Sequence, residues 1–182
     1  MDYNKSVRLH LESFWPDRKI KAMTWNSGRI LEEMPDFRIF CVEPPEHENF
    51  PWVYVSSGMG KMINQEFFII SPYETPEHVE ALAMLASVCF NYGGAHLNLG
   101  NVVEIGRPWL ENSNLENFLI SLPYPYGKKL EYMDNVRFMW LLPITNEEKD
   151  FLKDHSAEEL EALFDREEID YLAQSRRSAV DT

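Results

Sequence analysis

Trp52-Val-Tyr-Val-Ser-Ser-Gly-Met-Gly60, then Glu66-Phe-Phe-Ile-Ile-Ser71, then Thr75-Pro-Glu77, is the stretch that decides how this chain folds. The runs 52–56 and 66–71 are β-branched and aromatic and have strand length. Gly58 and Gly60 between them allow a chain reversal, so the pair predicts an antiparallel hairpin. Thr75-Pro76-Glu77 reads as a helix start: a hydroxyl at the cap, a proline where the missing N–H costs nothing, and an acid facing the helix dipole. Val79, Leu82, Ala83, Ala86, Cys89 and Phe90 follow at helical spacing and form one broad apolar stripe. Gly93-Gly94 supplies the stop.

Upstream, Val7, Leu11 and Phe14 share one face of a helix predicted over 3–15, which Pro16 ends. Residues 36–42 alternate as a strand, with Phe37, Ile39 and Cys41 opposite Arg38, Phe40 and Val42. Downstream, strands are predicted over 101–106, 117–122 and 136–142. The last of these is the most apolar and reads as central to a sheet, with Pro143 as its end. Thr145-Asn-Glu-Glu148 and Ser156-Ala-Glu-Glu159 both match the capping box and predict two short helices. Leu160, Leu163 and Phe164 give the second an apolar face, and the polar tail after Tyr171 is expected to fray.

The order helix, three strands, helix, three strands, helices predicts an α+β, α/β-sandwich-like fold. Its sheet should be largely antiparallel or mixed and covered by helices. No repeat or linker divides residues 1–182, so one domain is expected, with its core over about 30–178 and acidic helices over 146–172. A chain of 182 residues, 45% hydrophobic, buries roughly 70% of its unfolded surface and needs neither disulfide nor metal to hold a core. Cys41 and Cys89 lie far apart in apolar surroundings and read as buried free thiols, with a single disulfide as the alternative. The first residues lack the apolar core of a signal peptide, and no apolar run has bilayer-spanning length. The expected location is the cytoplasm.

The net charge of −13 disfavours direct contact with nucleic acid or anionic membranes, since phosphate contacts want Lys or Arg. It suits a basic protein partner, whose association it would speed. From Glu147 to Asp170, eleven acids face three bases, so this segment alone carries −8. Helices of this kind either show a solvated face or dock a basic protein. For the docking reading the candidate contacts are Glu158, Glu161, Asp165 and Glu168, with Trp109 or Tyr126 as an aromatic anchor from Pro/Gly/Asn-rich loops. Packing beneath those loops is the alternative for the aromatics.

No catalytic set is expected. His10, His47, His78, His96 and His155 form no tight metal spacing and read as surface or capping residues. Ser57-Gly58-Met59-Gly60 is a turn, without the order of a nucleophile elbow, and no phosphate-binding loop is present. Glu104 is the carboxylate whose burial would argue for a hidden hydrolase site; a solvated face or pairing with Arg107 or Arg137 is the alternative. No cofactor or metal is expected.

Val53-Tyr-Val-Ser-Ser-Gly-Met59, Glu66-Phe-Phe-Ile-Ile70, the Pro-started helix, Phe138-Met-Trp-Leu-Leu-Pro-Ile-Thr-Asn-Glu-Glu148, the helix through Leu160 and the closing Arg176-Arg-Ser178 together resemble the suppressor-of-fused domain family, over 37–178. The resemblance implies a sandwich-like domain without an active site. In animals the family's domain belongs to a larger protein that holds a transcription factor through a short peptide. Short bacterial relatives resemble immunity proteins encoded beside polymorphic toxins, some of them nucleases. With no second C-terminal domain here, peptide clamping in a cleft between domains is not expected. The resulting expectation is an immunity protein that occludes a basic toxin, with a scaffold module for an endogenous partner as the alternative.

Overall fold

The computed structural model describes residues 2–93 and 97–180, apart from the Leu31 side chain; Gly94 and His96 lie outside the described residues. The strands are β1 (Ile20–Met23), β2 (Arg38–Val42), β3 (Trp52–Ser57), β4 (Gln65–Ser71), β5 (Val102–Glu104), β6 (Asn117–Ser121), β7 (Tyr132–Met133) and β8 (Val136–Ile144). They form one sheet of order β1-β2-β3-β4-β8-β6-β5, with β7 paired to β8. The pairing is antiparallel throughout except for β4 with β8, where Glu66 lies opposite Phe138 and Phe68 opposite Trp140. A parallel pair needs a long crossover, and the helix that starts at Thr75-Pro76 begins it. The sheet is therefore mixed, and the fold is the α+β sandwich expected.

Alternation along the strands divides the interior into two layers. Ile39, Cys41, Tyr54, Phe67, Ile69, Met139 and Leu141 point to one face, covered by α4 (Glu77–Tyr92). Phe40, Val53, Val55, Phe68, Ile70, Phe138, Trp140 and Leu142 point to the other, covered by α1 (Tyr3–Phe14) and α7 (Ala157–Arg166). Both faces are buried, which is why β4 and β8 read as continuous apolar runs. Two of the remaining helices are single turns, α2 (Ile30–Glu33) and α3 (Gly60–Ile63), the latter inside the β3–β4 connection. α5 (Lys128–Glu131) leads into β7, and α6 (Asn146–Phe151) follows β8. Both capping boxes form: Thr145 with Glu148, and Ser156 with Glu159. Gly93 takes the left-handed conformation that ends α4. Cys41 and Cys89 are buried, unpaired thiols, and burial pushes both up to about 11.

Several sequence expectations need correction. β1 and β7 are strands the pattern did not show. In β1 only Ile20 is buried, so no alternation marks it, and β7 is two residues held by pairing to β8. β5 keeps three of the six residues expected and lies at the sheet edge. Pro143 does not end β8. The β4 partner stops at Trp140, so the missing N–H of Pro143 breaks no ladder bond on that side, and β8 continues along β6 to Ile144.

The tail after Tyr171 is pinned. The Trp109 indole donates to Gln174 O at 3.1 Å, the Asn114 side chain donates to Arg176 O at 2.7 Å, and Ala179 is buried. Histidines 10 and 78 are also not surface residues. His10 is half-buried against Phe138, and His78 is buried between Tyr54 and Trp109.

Candidate functional site

The capping box at Ser156 fixes where α7 starts, and Leu160 and Phe164 fix which side of it faces the sheet. On this register Glu158, Glu161 and Asp165 fall on the flank that overhangs β6 and β8. Beyond the helix Glu168 adopts a left-handed turn, φ 48°, that continues the same line. Between this flank and the sheet lies a groove of about 650 Å³. Its floor and walls are apolar: Trp140 and Leu142 from β8, Phe164, Ile169 and Tyr171 from the helix and the turn after it. The loop after β6 adds Tyr124 and Pro125, with Tyr124 60% exposed.

The polar groups of the groove are unevenly satisfied. Glu161 is tied down: Ser121 Oγ donates to Oε1 at 2.5 Å and the Tyr124 hydroxyl to Oε2 at 3.1 Å. Burial first, and the Glu161 carboxylate next, raise the Tyr124 phenol above its ordinary value. Glu158, Asp165 and Glu168 are exposed, and none of the four rim carboxylates has a cation partner among the described residues. Arg166, the nearby base, pairs with Glu167 instead. Trp140 is 4% exposed, meets Tyr171 edge-on at 5.2 Å, and its indole N–H has no acceptor among the described residues. An unpaired buried donor costs on the order of 1–3 kcal/mol. The groove thus combines an apolar floor with four carboxylates along its rim, while the Trp140 N–H lies sealed beneath the surface.

The two proposed aromatic anchors lie elsewhere. Trp109 is 1% exposed, stacked on His78 within the first core layer, so it is not a surface anchor. Its Pro/Asn-rich neighbours describe the loop and not the side chain. Tyr126 is half-buried among Phe14, Trp15 and Phe68, and does not line the groove. Tyr124, two residues earlier, does.

Glu104 is not buried. It lies on edge strand β5 with its side chain 72% exposed, 3.5 Å from Lys149, while Arg107 pairs with Glu80 and Arg137 with Glu131. Among the described residues no three His, Cys, Asp or Glu side chains gather as a metal site. A fully buried carboxylate lies elsewhere, at a position the sequence pattern does not single out. Glu66, fully buried at the start of β4, accepts from the Tyr3 hydroxyl (2.8 Å), Ser56 Oγ (2.5 Å) and the backbone N–H groups of Gly58 (2.7 Å) and Gly60 (2.8 Å). Burial raises its pKa and the four donors oppose that rise. Its signal is an acid directly before four consecutive apolar strand residues, Phe67 to Ile70. All its bonds are internal, so it staples the Ser-Gly-Met-Gly turn to α1.

The family model described as Suppressor of fused protein (SUFU) matches residues 34–177. A crystal structure of a SUFU homologue from Neisseria gonorrhoeae FA 1090 is 60% identical, with a TM-score of 0.94, over 98% of this chain and 97% of that one. A chain of the Sufu–Fu complex shares the fold at 15% identity and TM-score 0.64, over 97% of this chain and 92% of that one. Drosophila Suppressor of Fused does so at 15% and 0.66, over 98% of this chain but 51% of its own. No curated protein matches the sequence. No described helix is long and apolar enough to cross a membrane. By its family match and by 60% identity along nearly its whole length, the chain belongs to the suppressor-of-fused family.

Proposed function

We propose that this protein is a non-catalytic binding domain of the immunity type, which blocks a cognate toxin with a basic surface by occluding it. The observation that carries the reading is the groove along α7, an apolar floor edged by carboxylates that pair with no cation among the described residues. Such a surface recruits a basic protein quickly and excludes acidic ones. No side chain of the groove needs to make or break a bond for this, and no cofactor takes part. The two buried, unpaired thiols support action in a reducing cytoplasm. A net charge of −13 supports a protein partner over nucleic acid or membrane.

The test is co-expression with each protein encoded next to this one. Neutralisation of a toxic product and its co-purification with this chain is the expected result. If no neighbouring product is toxic, bound or neutralised, the immunity reading fails. A scaffold role with an endogenous partner is the second reading, favoured by the Sufu–Fu complex, in which a chain of the same fold occurs with Fu.

A further inference from the structure

We infer that the groove between α7 and strands β6 and β8 takes a short basic amphipathic helix of the partner, apolar side chains on Trp140 and Tyr171 and Lys or Arg on the rim carboxylates. The inference rests on the protein-binding reading above and assigns its site and the form of the recognised segment.

The occupant's charge follows from the rim. Glu158, Glu161 and Asp165 are spaced three and four apart on one flank of α7, and Glu168 extends the line. Glu158 to Asp165 covers about 10 Å of helix axis. Cations at i, i+4 and i+7 of a facing helix cover the same distance. A second copy of this chain, at net −13, would bring further negative charge to the same place.

The occupant's conformation follows from the sheet. β6 and β8 are paired with each other where they line the groove, Ser121 opposite Trp140 and Leu119 opposite Leu142. The sheet's outer strands, β1 and β5, do not line it. The groove floor presents the side-chain face of these strands, through Trp140 and Leu142, so an extended peptide laid on it would leave its backbone N–H and C=O groups unanswered. A helix satisfies its own backbone. The apolar face of such a helix then covers the Trp140 and Tyr171 rings that line the groove.

The test uses the full chain and a synthetic 14-residue helix of leucine and lysine, with lysines on one face, capped at both ends. Binding is read by calorimetry at low and high salt, and by the five tryptophan indole resonances in nitrogen–proton NMR spectra. Two controls are the same peptide with glutamate for lysine and the same composition scrambled to destroy the apolar face. Binding of the lysine peptide that weakens with salt, shifts the resonance absent in Trp140→Phe, falls about tenfold in Glu158→Gln/Asp165→Asn and disappears in Ala162→Arg supports the inference. Ala162 is exposed on the groove wall, and thermal melts confirm that these variants fold. Equal binding of either control peptide, or unchanged binding by Ala162→Arg, overturns it. Self-association abolished by Ala162→Arg gives the groove to a second copy and also overturns it.

The same variants in the co-expression assay separate the two claims. Protection retained in Ala162→Arg sinks the groove assignment and leaves the immunity reading intact. Peptide binding through the groove without any neutralised toxin does the reverse.

Discussion

Glu148 and Arg176, 28 residues apart, close the C-terminal segment onto the sheet: Nη2 of the arginine donates to Oε2 of the carboxylate at 2.8 Å, with Glu148 fully buried. The same carboxylate accepts from the Thr145 N–H in its capping box at 3.0 Å and from the Ala179 N–H at 2.9 Å. Arg176 also donates to Pro143 O, on the stretch of β8 that β4 has left, and its guanidinium lies over the Phe164 ring at 5.2 Å. Phe164 lines the groove, so the clamp supports the groove wall.

Breaking one side of a buried ion pair leaves the other charge uncompensated. Arg176→Met is expected to cost about 3–5 kcal/mol in urea unfolding. Glu148→Ala should cost more, by roughly another 1 kcal/mol, because the Thr145 and Ala179 N–H groups lose their acceptor while the Thr145 hydroxyl still caps α6. The double variant should be less unstable than the sum of the singles, since neither charge is stranded. Additive losses in this cycle would show that the two groups stabilise the fold independently.

Glu66 makes a different prediction, because its partners are all donors. Glu66→Gln replaces Oε2 by an N–H₂ group facing Ser56 Oγ, a hydroxyl that already accepts from the Phe67 N–H, and is expected to destabilise by roughly 1–3 kcal/mol. Tyr3→Phe removes one donor and should cost about 1 kcal/mol. Gly60→Ala should resemble the Gln variant, since a Cβ there would collide with the Tyr3 hydroxyl. In all three, hydrogen exchange should accelerate first at Val7 and Leu11, the buried positions of α1. Uniform acceleration across the sheet would contradict the role of Glu66 as the staple for that helix.

What the sequence made legible follows the same physics. β2, β3, β4, β6 and β8 announce themselves because burial on both faces demands apolar runs, and α6 and α7 because Thr145 and Ser156 bond locally. β1 is silent because one buried residue, Ile20, is no pattern. The tail looks frayed from sequence because the bonds that order it, Glu148 to Arg176 and Trp109 to Gln174, join residues far apart in the chain. The polar loop around Trp109 suggests exposure, whereas the ring itself is buried. In the groove, the spacing of Glu158, Glu161 and Asp165 was visible on one helix. Trp140 and Tyr171 beneath them were not, since only the packing of α7 on β8 brings them there.

Asp165 tests whether the acidic rim is held against stability. It follows Glu161 by four residues in α7 and sits at the end of the helix, where the dipole disfavours an anion. Like charges at that spacing destabilise a helix by about 0.2–0.5 kcal/mol. Asp165→Asn is therefore expected to raise the melting temperature slightly at low salt, with the gain fading as salt screens the repulsion. Its effect on binding a basic partner should have the opposite sign. A lower melting temperature would mean that Asp165 has a stabilising partner.

His78 sets the behaviour of the fold toward acid. Its ring is 1% exposed, stacked on Trp109, with Nε2 3.0 Å from Ser71 Oγ. Burial, and secondarily the Arg107 charge, push its pKa down from 6.5 to about 3. The unfolded chain therefore takes up a proton at this residue between about pH 6.5 and 3 while the folded chain does not. Stability contributed by the neutral ring is complete above pH 6.5 and falls as the pH drops through that window. The limiting slope is about 1.4 kcal/mol per pH unit for one proton. His78→Phe keeps an aromatic ring between Tyr54 and Trp109 and removes the titration. It is expected to flatten the stability profile between pH 6 and 4 in urea unfolding, at the cost of the Ser71 contact at pH 7. Profiles of equal slope for the two proteins would mean that His78 is protonated inside the fold.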